Sequence, residues 1–218
     1  GYLVLTNVIG LLLALALNRG LKSRYLLRTL LFLPVVLSSI SVSYIFKYIF
    51  AVDGALNNIL VALGFEDLQR IWLAEPESAL IAVLIVAVWQ HTGMAMVIYL
   101  AGLALVPQEL EEAAALDGAG IWKRFRHITL PMIQPAIAIN TTLALTSGLK
   151  IFDQVKAMTN GGPFGATDTL STVIYRNTFE FMDYGYGAAI SLVFSVVIFV
   201  AAAIEPVAYC FADFVPMT

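Results

Sequence analysis

The chain has 218 residues, 60% of them apolar and only 12% charged, with a net charge of −3. Soluble domains carry about 25% charged residues, so this composition points to a membrane protein, and the weak negative charge offers nothing to a nucleic acid. A lone cysteine, Cys210, excludes an internal disulfide and reads as an inert thiol in apolar sequence.

A spanning helix needs about 20 mostly apolar residues. Five candidate spans follow in chain order: Tyr2 to Leu17, Arg28 to Phe50, Ser78 to Val106, Pro131 to Lys150 and Gly187 to Phe211. The first loop carries Arg19, Lys22, Arg24 and Arg28 and no acid. The second carries Asp53, Glu66, Asp67, Glu75 and Glu77 against Arg70. The third is basic in its latter part, with Lys123, Arg124 and Arg126, and the fourth is mostly acidic, with Asp153, Asp168, Glu180 and Asp183. Basic loops face the cytoplasm. Loops one and three are therefore expected inside, loops two and four outside, with Gly1 at the outer side and Thr218 inside.

Polar residues at membrane depth default to functional roles. Trp89, Gln90, His91 and Thr92 fall in the middle of the third span, and Met94 lies one turn beyond Gln90. The second span carries Ser38, Ser39, Ser41 and Ser43, and the fourth carries Asn140 to Thr142 and Thr146 to Gly148. Small polar residues also simply pack helices together. No central Asp or Glu appears in the spans, which favours a neutral ligand over a cation.

The most polar stretch is residues 107–130, between the third and fourth spans. Glu109 to Leu116 is rich in good helix formers, its acids suit a helix N-terminus, and Gly118 permits a sharp turn. Ile121, Trp122, Phe125 and Ile128 then recur at helical spacing, which predicts an amphipathic helix at the inner membrane surface. Within the stretch, Glu112-Ala113-Ala114 is followed after three residues by Gly118, and after nine more by Ile128-x-Leu130-Pro131.

This spacing resembles the EAA loop of ATP-binding-cassette (ABC) importer permeases. Leu33-Pro34, Gly148 to Asp153, Thr159 to Pro163 and Thr167 to Leu170 resemble the carbohydrate branch, in particular the larger permease of maltose-type systems. The resemblance implies an all-α, polytopic helical membrane protein of the type I ABC importer kind, with five spanning helices plus a cytoplasmic coupling helix. It implies one transmembrane permease domain over residues 1–218, multi-pass in a bacterial or archaeal cytoplasmic (inner) membrane. Such permeases usually have six core helices. The likeness here covers the last five, so a first helix is expected to be missing, and Glu205, Pro206 and Asp213 depart from the usual basic close.

In that family the coupling helix docks in a cleft of the ATPase subunit. The resemblance therefore places Glu111, Glu112, Ala113, Ala114, Asp117 and Gly118 at or near that contact. It places Ser39, Trp89, Gln90, Met94, Ser147 and Gly148 on the sugar path, and His91 joins them by its mid-span position. The Gly161–Pro163 turn would face an external solute-binding protein. The implied partners are a second permease subunit, ATPase subunits, that binding protein, membrane lipid and the sugar itself, with no nucleic acid.

No Walker A pattern, nucleophile elbow or H-E-x-x-H motif occurs. The expectation is a non-catalytic subunit with no cofactor and no metal, with ATP hydrolysis elsewhere. Two other readings compete: an ion-gradient-driven secondary transporter, which would want a buried acid at mid-membrane, and an ABC permease for a non-sugar solute. A membrane-embedded enzyme would want a convergent catalytic set, which His91 alone does not make.

Overall fold

The computed structural model describes residues 1–18 and 23–212, with 205–212 as backbone alone. Arg19, Lys22, Asp213 and Thr218 lie outside the described residues, as do the side chains of Glu205, Pro206 and Cys210. Among the described residues every regular element is helical. In chain order these are α1 (Tyr2–Leu17), α2 (Arg24–Val36), α3 (Ser39–Ile49), α4 (Ala55–Ala62), α5 (Pro76–Ala104), α6 (Gln108–Leu116) and α7 (Ile121–Arg124). A π-helical turn, Phe125–Thr129, leads to α8 (Leu130–Met132) and α9 (Gln134–Leu149), followed by α10 (Asp153–Met158), α11 (Leu170–Tyr175) and α12 (Tyr184–Ala212).

All five expected spans are helical, but among the described residues only α5 and α12 are unbroken and long and apolar enough to cross a membrane. α1 is apolar but shorter. The second expected span is interrupted at Leu37–Ser38 between α2 and α3. Pro34 sits in the last turn of α2, where it has no N–H to donate, and Ser38 takes the N-cap position of α3. The fourth span begins at Gln134 rather than Pro131, after a break at Ile133. Pro135 lacks the N–H that would bond the Pro131 carbonyl and continue α8 into α9.

The chain forms two compact units. The first comprises Gly1–Tyr2, Leu37–Gln90 and Thr146–Ala201. Its core gathers Val42 of α3, Ala82, Val83 and Val86 of α5, and Val155 and Met158 of α10, with Phe50 at the end of α3. The α5 positions share one face because three and four residues make about one turn. Phe46, Leu56, Trp72 and Ile151 pack around this cluster. The loop from Val52 to Trp72 is held by the buried Asn57. Its amide donates to the Val52 carbonyl at 2.9 Å and the Arg70 carbonyl at 3.0 Å, and its oxygen accepts the Trp72 indole N–H at 2.9 Å.

The second unit comprises Leu3–Val36, His91–Leu145 and the chain from Ala202. Ala14 and Leu17 of α1, Ala95, Met96, Tyr99 and Leu103 of α5, and Ile133 and Ala136 form its core. In hydrocarbon there is little hydrophobic drive between helices, so small residues that admit close backbone approach carry the packing. A Cβ added at Gly10 would lie 2.7 Å from the Ala95 Cβ, and one at Gly102 would lie 2.7 Å from the Ala136 Cβ. Polar bonds add to this: Tyr99 donates its hydroxyl to Asn7 Oδ1 at 2.7 Å, and Asn140 donates its amide to the Ala95 carbonyl at 3.1 Å. The outward sides of α1 and α12 expose Leu, Val, Ile and Phe, as suits a lipid-facing surface.

Candidate functional site

The polar segment of the second unit is a built helix–turn–helix. Pro107 precedes α6, and Glu109 and Glu111 lie in its first turn, where they complement the helix dipole. α6 ends in a Schellman turn: the Ala119 N–H bonds the Ala114 carbonyl at 2.9 Å and the Gly118 N–H bonds the Ala115 carbonyl at 3.1 Å. Gly118 has φ 79°, the left-handed conformation this turn needs, and a Cβ there would meet nothing within 4 Å. The restriction at this position is thus conformational rather than steric crowding. Glu112, Ala113, Asp117 and Gly118 are exposed, while Ala114 and Glu111 are half-buried.

Glu111 and Glu112 differ in their surroundings. Glu112 accepts from Gln108 on the exposed face of α6 at 2.9 Å. Glu111 turns inward, where its carboxylate accepts the hydroxyl of buried Thr129 at 3.0 Å and its carbonyl accepts from Arg124 Nη1 at 3.4 Å. Thr129 closes the π-helical turn just before α8. α6 is therefore fastened to the entry of the fourth span. The predicted amphipathic helix is present as α7 and the turn after it. Trp122 is 70% exposed and its ring lies 5.7 Å from that of half-buried Phe125.

The mid-span residues of α5 are sorted by the structure. Trp89 is 42% exposed and stands 5.2 Å, ring to ring, from Phe46 of α3. Gln90 beside it is only 2% exposed and its amide is engaged at both ends. It donates to the Leu37 carbonyl at 3.0 Å and accepts from the Gln154 amide at 3.1 Å. Leu37 is where the second span breaks, so Gln90 satisfies a carbonyl freed by that break. Ser39, half-buried, begins α3 two residues later and accepts the Ser43 hydroxyl at its carbonyl. Ser147 and Gly148 are half-buried in the last turn of α9, where the Tyr2 ring lies against Gly148. In the second unit, His91 is half-buried and Met94 exposed on α5.

The structure thus joins Trp89 to α3 and Gln90 to the Leu37 break, with Ser39 next to that break in the chain. Sequence reasoning missed Gln154 and Thr129, the partners of Gln90 and Glu111. Gln154 stands beside Asp153 in the fourth loop and Thr129 near the end of the polar stretch 107–130, so neither is marked out by its sequence surroundings.

The chain's fourth loop, in the first unit, is tied together by hydrogen bonds among its own residues. Asn160, Gly161, Phe164 and Gly165 all have positive φ, and Phe164 is fully exposed. Thr159 and Thr167 bond hydroxyl to hydroxyl at 2.7 Å, and Thr167 donates to the Gly162 carbonyl. Thr169 and Thr172 form a capping box at the start of α11. Arg176 pairs with Asp168 at 2.6 Å, and that hydrogen bond holds its guanidinium above the usual range against the opposing effect of burial.

Residues 6–207 match the family described as binding-protein-dependent transport system inner membrane component. The chain is 36% identical, over 91% of its length, to the multiple sugar-binding transport system permease protein MsmF of Streptococcus mutans, and covers 68% of that protein. It is 40% identical to the lactose transport system permease protein LacF of Rhizobium radiobacter, over 84% of this chain and 63% of that one. It is 37% identical to the trehalose/maltose transport system permease protein MalF of Thermococcus litoralis, over 86% and 63%. This chain therefore spans about two-thirds or a little less of these curated relatives. Among solved structures, a chain of a bacterial ABC transporter involved in import of the acidic polysaccharide alginate superposes with a TM-score of 0.83 at 25% identity, over 95% of this chain and 76% of that one. The chain belongs to the binding-protein-dependent transport system inner membrane component family of ABC importers.

Proposed function

We propose that this chain is the membrane-spanning permease subunit of an ATP-driven importer that carries a sugar or oligosaccharide across the cytoplasmic membrane by alternating access. It works with a second permease subunit, two ATPase subunits that hydrolyse the ATP, and an external solute-binding protein. The observation that carries this reading is α6, an exposed helix closed by the Gly118 turn and tied through Glu111 to Thr129. Such a helix can be gripped by a partner, and its tie conveys a displacement to the start of α8. The exposed Glu112, Ala113, Asp117 and Gly118 form the gripped side, with Ala114 partly behind them.

The carbohydrate assignment is supported by the lactose, trehalose/maltose and multiple-sugar names of the relatives. The exposed Trp89 ring supplies an apolar plane of the kind on which a sugar face stacks. Ser39 and Ser147 supply hydroxyls, Gly148 admits the Tyr2 ring next to Ser147, and His91 and Met94 follow Trp89 along α5. Gln90 supports the path by holding Leu37 and Gln154. The Gly161–Pro163 turn faces the external binding protein.

The test is uptake of labelled maltose, lactose and trehalose by proteoliposomes containing the assembled complex and its binding protein. ATP-dependent uptake of at least one, blocked by an unlabelled competitor, is expected. Uptake driven by a sodium or proton gradient without ATP would establish the secondary-transporter reading instead.

A further inference from the structure

We propose that the second unit holds one anionic phospholipid of the inner leaflet in a groove between α1 and the segment Ile121–Thr129. This rests on the reading of that basic segment as cytoplasmic. The groove has a volume of about 750 Å³. One wall is a single face of α1, from Val8 through Leu12 to Leu15, and the other carries the Trp122 and Phe125 rings. Val8 and Leu12 are exposed, so this wall is open to acyl chains.

The groove is also lined by a cation with donors to spare. The Arg124 guanidinium has five N–H donors. Its buried Nε–H has no partner among the described residues, and Nη1 makes only the 3.4 Å contact to the Glu111 carbonyl. Among the described residues the other charge lining the groove is the Glu111 carboxylate, which Thr129 already engages at 3.0 Å. Lys123 and Arg126 flank Arg124 in the chain and are exposed. Apolar walls beside an under-used guanidinium at a basic membrane edge match acyl chains joined to a phosphate. Free phosphate would leave the walls bare, and a zwitterionic headgroup would bring a second cation to Arg124. Basic pockets beside membrane helices on the cytoplasmic side bind anionic headgroups by this combination.

The experiment is native mass spectrometry of the assembled transporter, released from nanodiscs of equal parts phosphatidylglycerol and phosphatidylcholine. The wild-type chain should retain phosphatidylglycerol in preference to phosphatidylcholine. Arg124→Gln should lower that retention about fivefold, the worth of one cationic contact at an anionic surface. Arg124→Lys should restore most of it. Leu12→Trp should expel both lipids by filling the groove with the charge untouched, and Lys123→Gln, outside the groove lining, should lower the retention of phosphatidylglycerol less than Arg124→Gln does. Equal retention of the two lipids, or retention unchanged in both Arg124→Gln and Leu12→Trp, would overturn the proposal. So would a cysteine at position 12, in a Cys210→Ser background, that cross-links to a partner subunit instead of to a photoactivatable lipid. Lipid mass is read without ATP or sugar, so failure here leaves the transport reading standing, and failure of transport leaves this one measurable.

Discussion

Gln90 offers the sharpest test of how this fold tolerates a broken span. Gln90→Ala removes two hydrogen bonds, one to the Leu37 carbonyl at 3.0 Å and one from the Gln154 amide at 3.1 Å. Gln90 is buried, and so is Gln154, so water does not readily replace the bond between them, whereas Leu37 is 45% exposed and its carbonyl is the more easily re-solvated partner. Side-chain hydrogen bonds in membrane helices average about 0.6 kcal/mol in double-mutant cycles, which sets a lower figure of about 1.2 kcal/mol for the pair. If each orphaned group instead costs about 2 kcal/mol, as in water-soluble proteins, the loss reaches about 4 kcal/mol. We predict a destabilisation between these bounds, measured by reversible denaturing-detergent titration in mixed lipid micelles with far-ultraviolet circular dichroism. Gln154→Ala should cost less, because it strands only one end of Gln90. The double variant should fall short of the sum by about 0.6 kcal/mol, the coupling of the shared bond. A Gln90→Ala loss below about 0.3 kcal/mol, together with strict additivity, would refute the reasoning, since that is the scatter expected of independent sites.

Three further predictions concern other parts of the chain. Gly118→Ile should uncouple ATP hydrolysis from uptake, because a β-branched residue resists the left-handed conformation by about 1–2 kcal/mol. Gly118→Asn, which tolerates that conformation, should retain most coupling, and equal behaviour of the two variants would remove the turn from the mechanism. Trp89→Ala should reduce sugar uptake at least severalfold with normal complex assembly, and wild-type uptake would assign Trp89 to packing against Phe46 alone. Cysteines placed at Gly64 and Ala119 in a Cys210→Ser background should label from outside and inside respectively with an impermeant maleimide, and the opposite pattern would invert the topology.

Much of this chain was legible locally. The five apolar stretches identify the helical spans because backbone groups in hydrocarbon must bond within their own segment. α6 and its stop at Gly118 were readable because helix propensity, the N-terminal acids and the left-handed turn all act within a dozen residues. The spacing from Glu112 to Pro131 pointed to the family by the same short-range pattern. The interruptions of the second and fourth spans were hidden in apolar composition, although Pro34 and Pro135 stood beside them. A window of hydropathy registers transfer into lipid and is blind to a single missing N–H.

Other features belonged to the tertiary structure alone. Gln90 and Gln154 lie 64 residues apart, and Glu111 and Thr129 lie 18 apart. In sequence Gln90 reads as an amide seeking a ligand or water, and Glu111 as one of two equivalent acids. Folding gives Gln90 the carbonyl released at Leu37, and turns Glu111 inward while Glu112 stays on the exposed face. A polar group in an apolar stretch announces that it needs a partner, because leaving it unpaired is costly. Which partner it finds depends on which helices pack together, and that is settled by close approach at small residues such as Gly10 and Gly102, over distances no local pattern encodes.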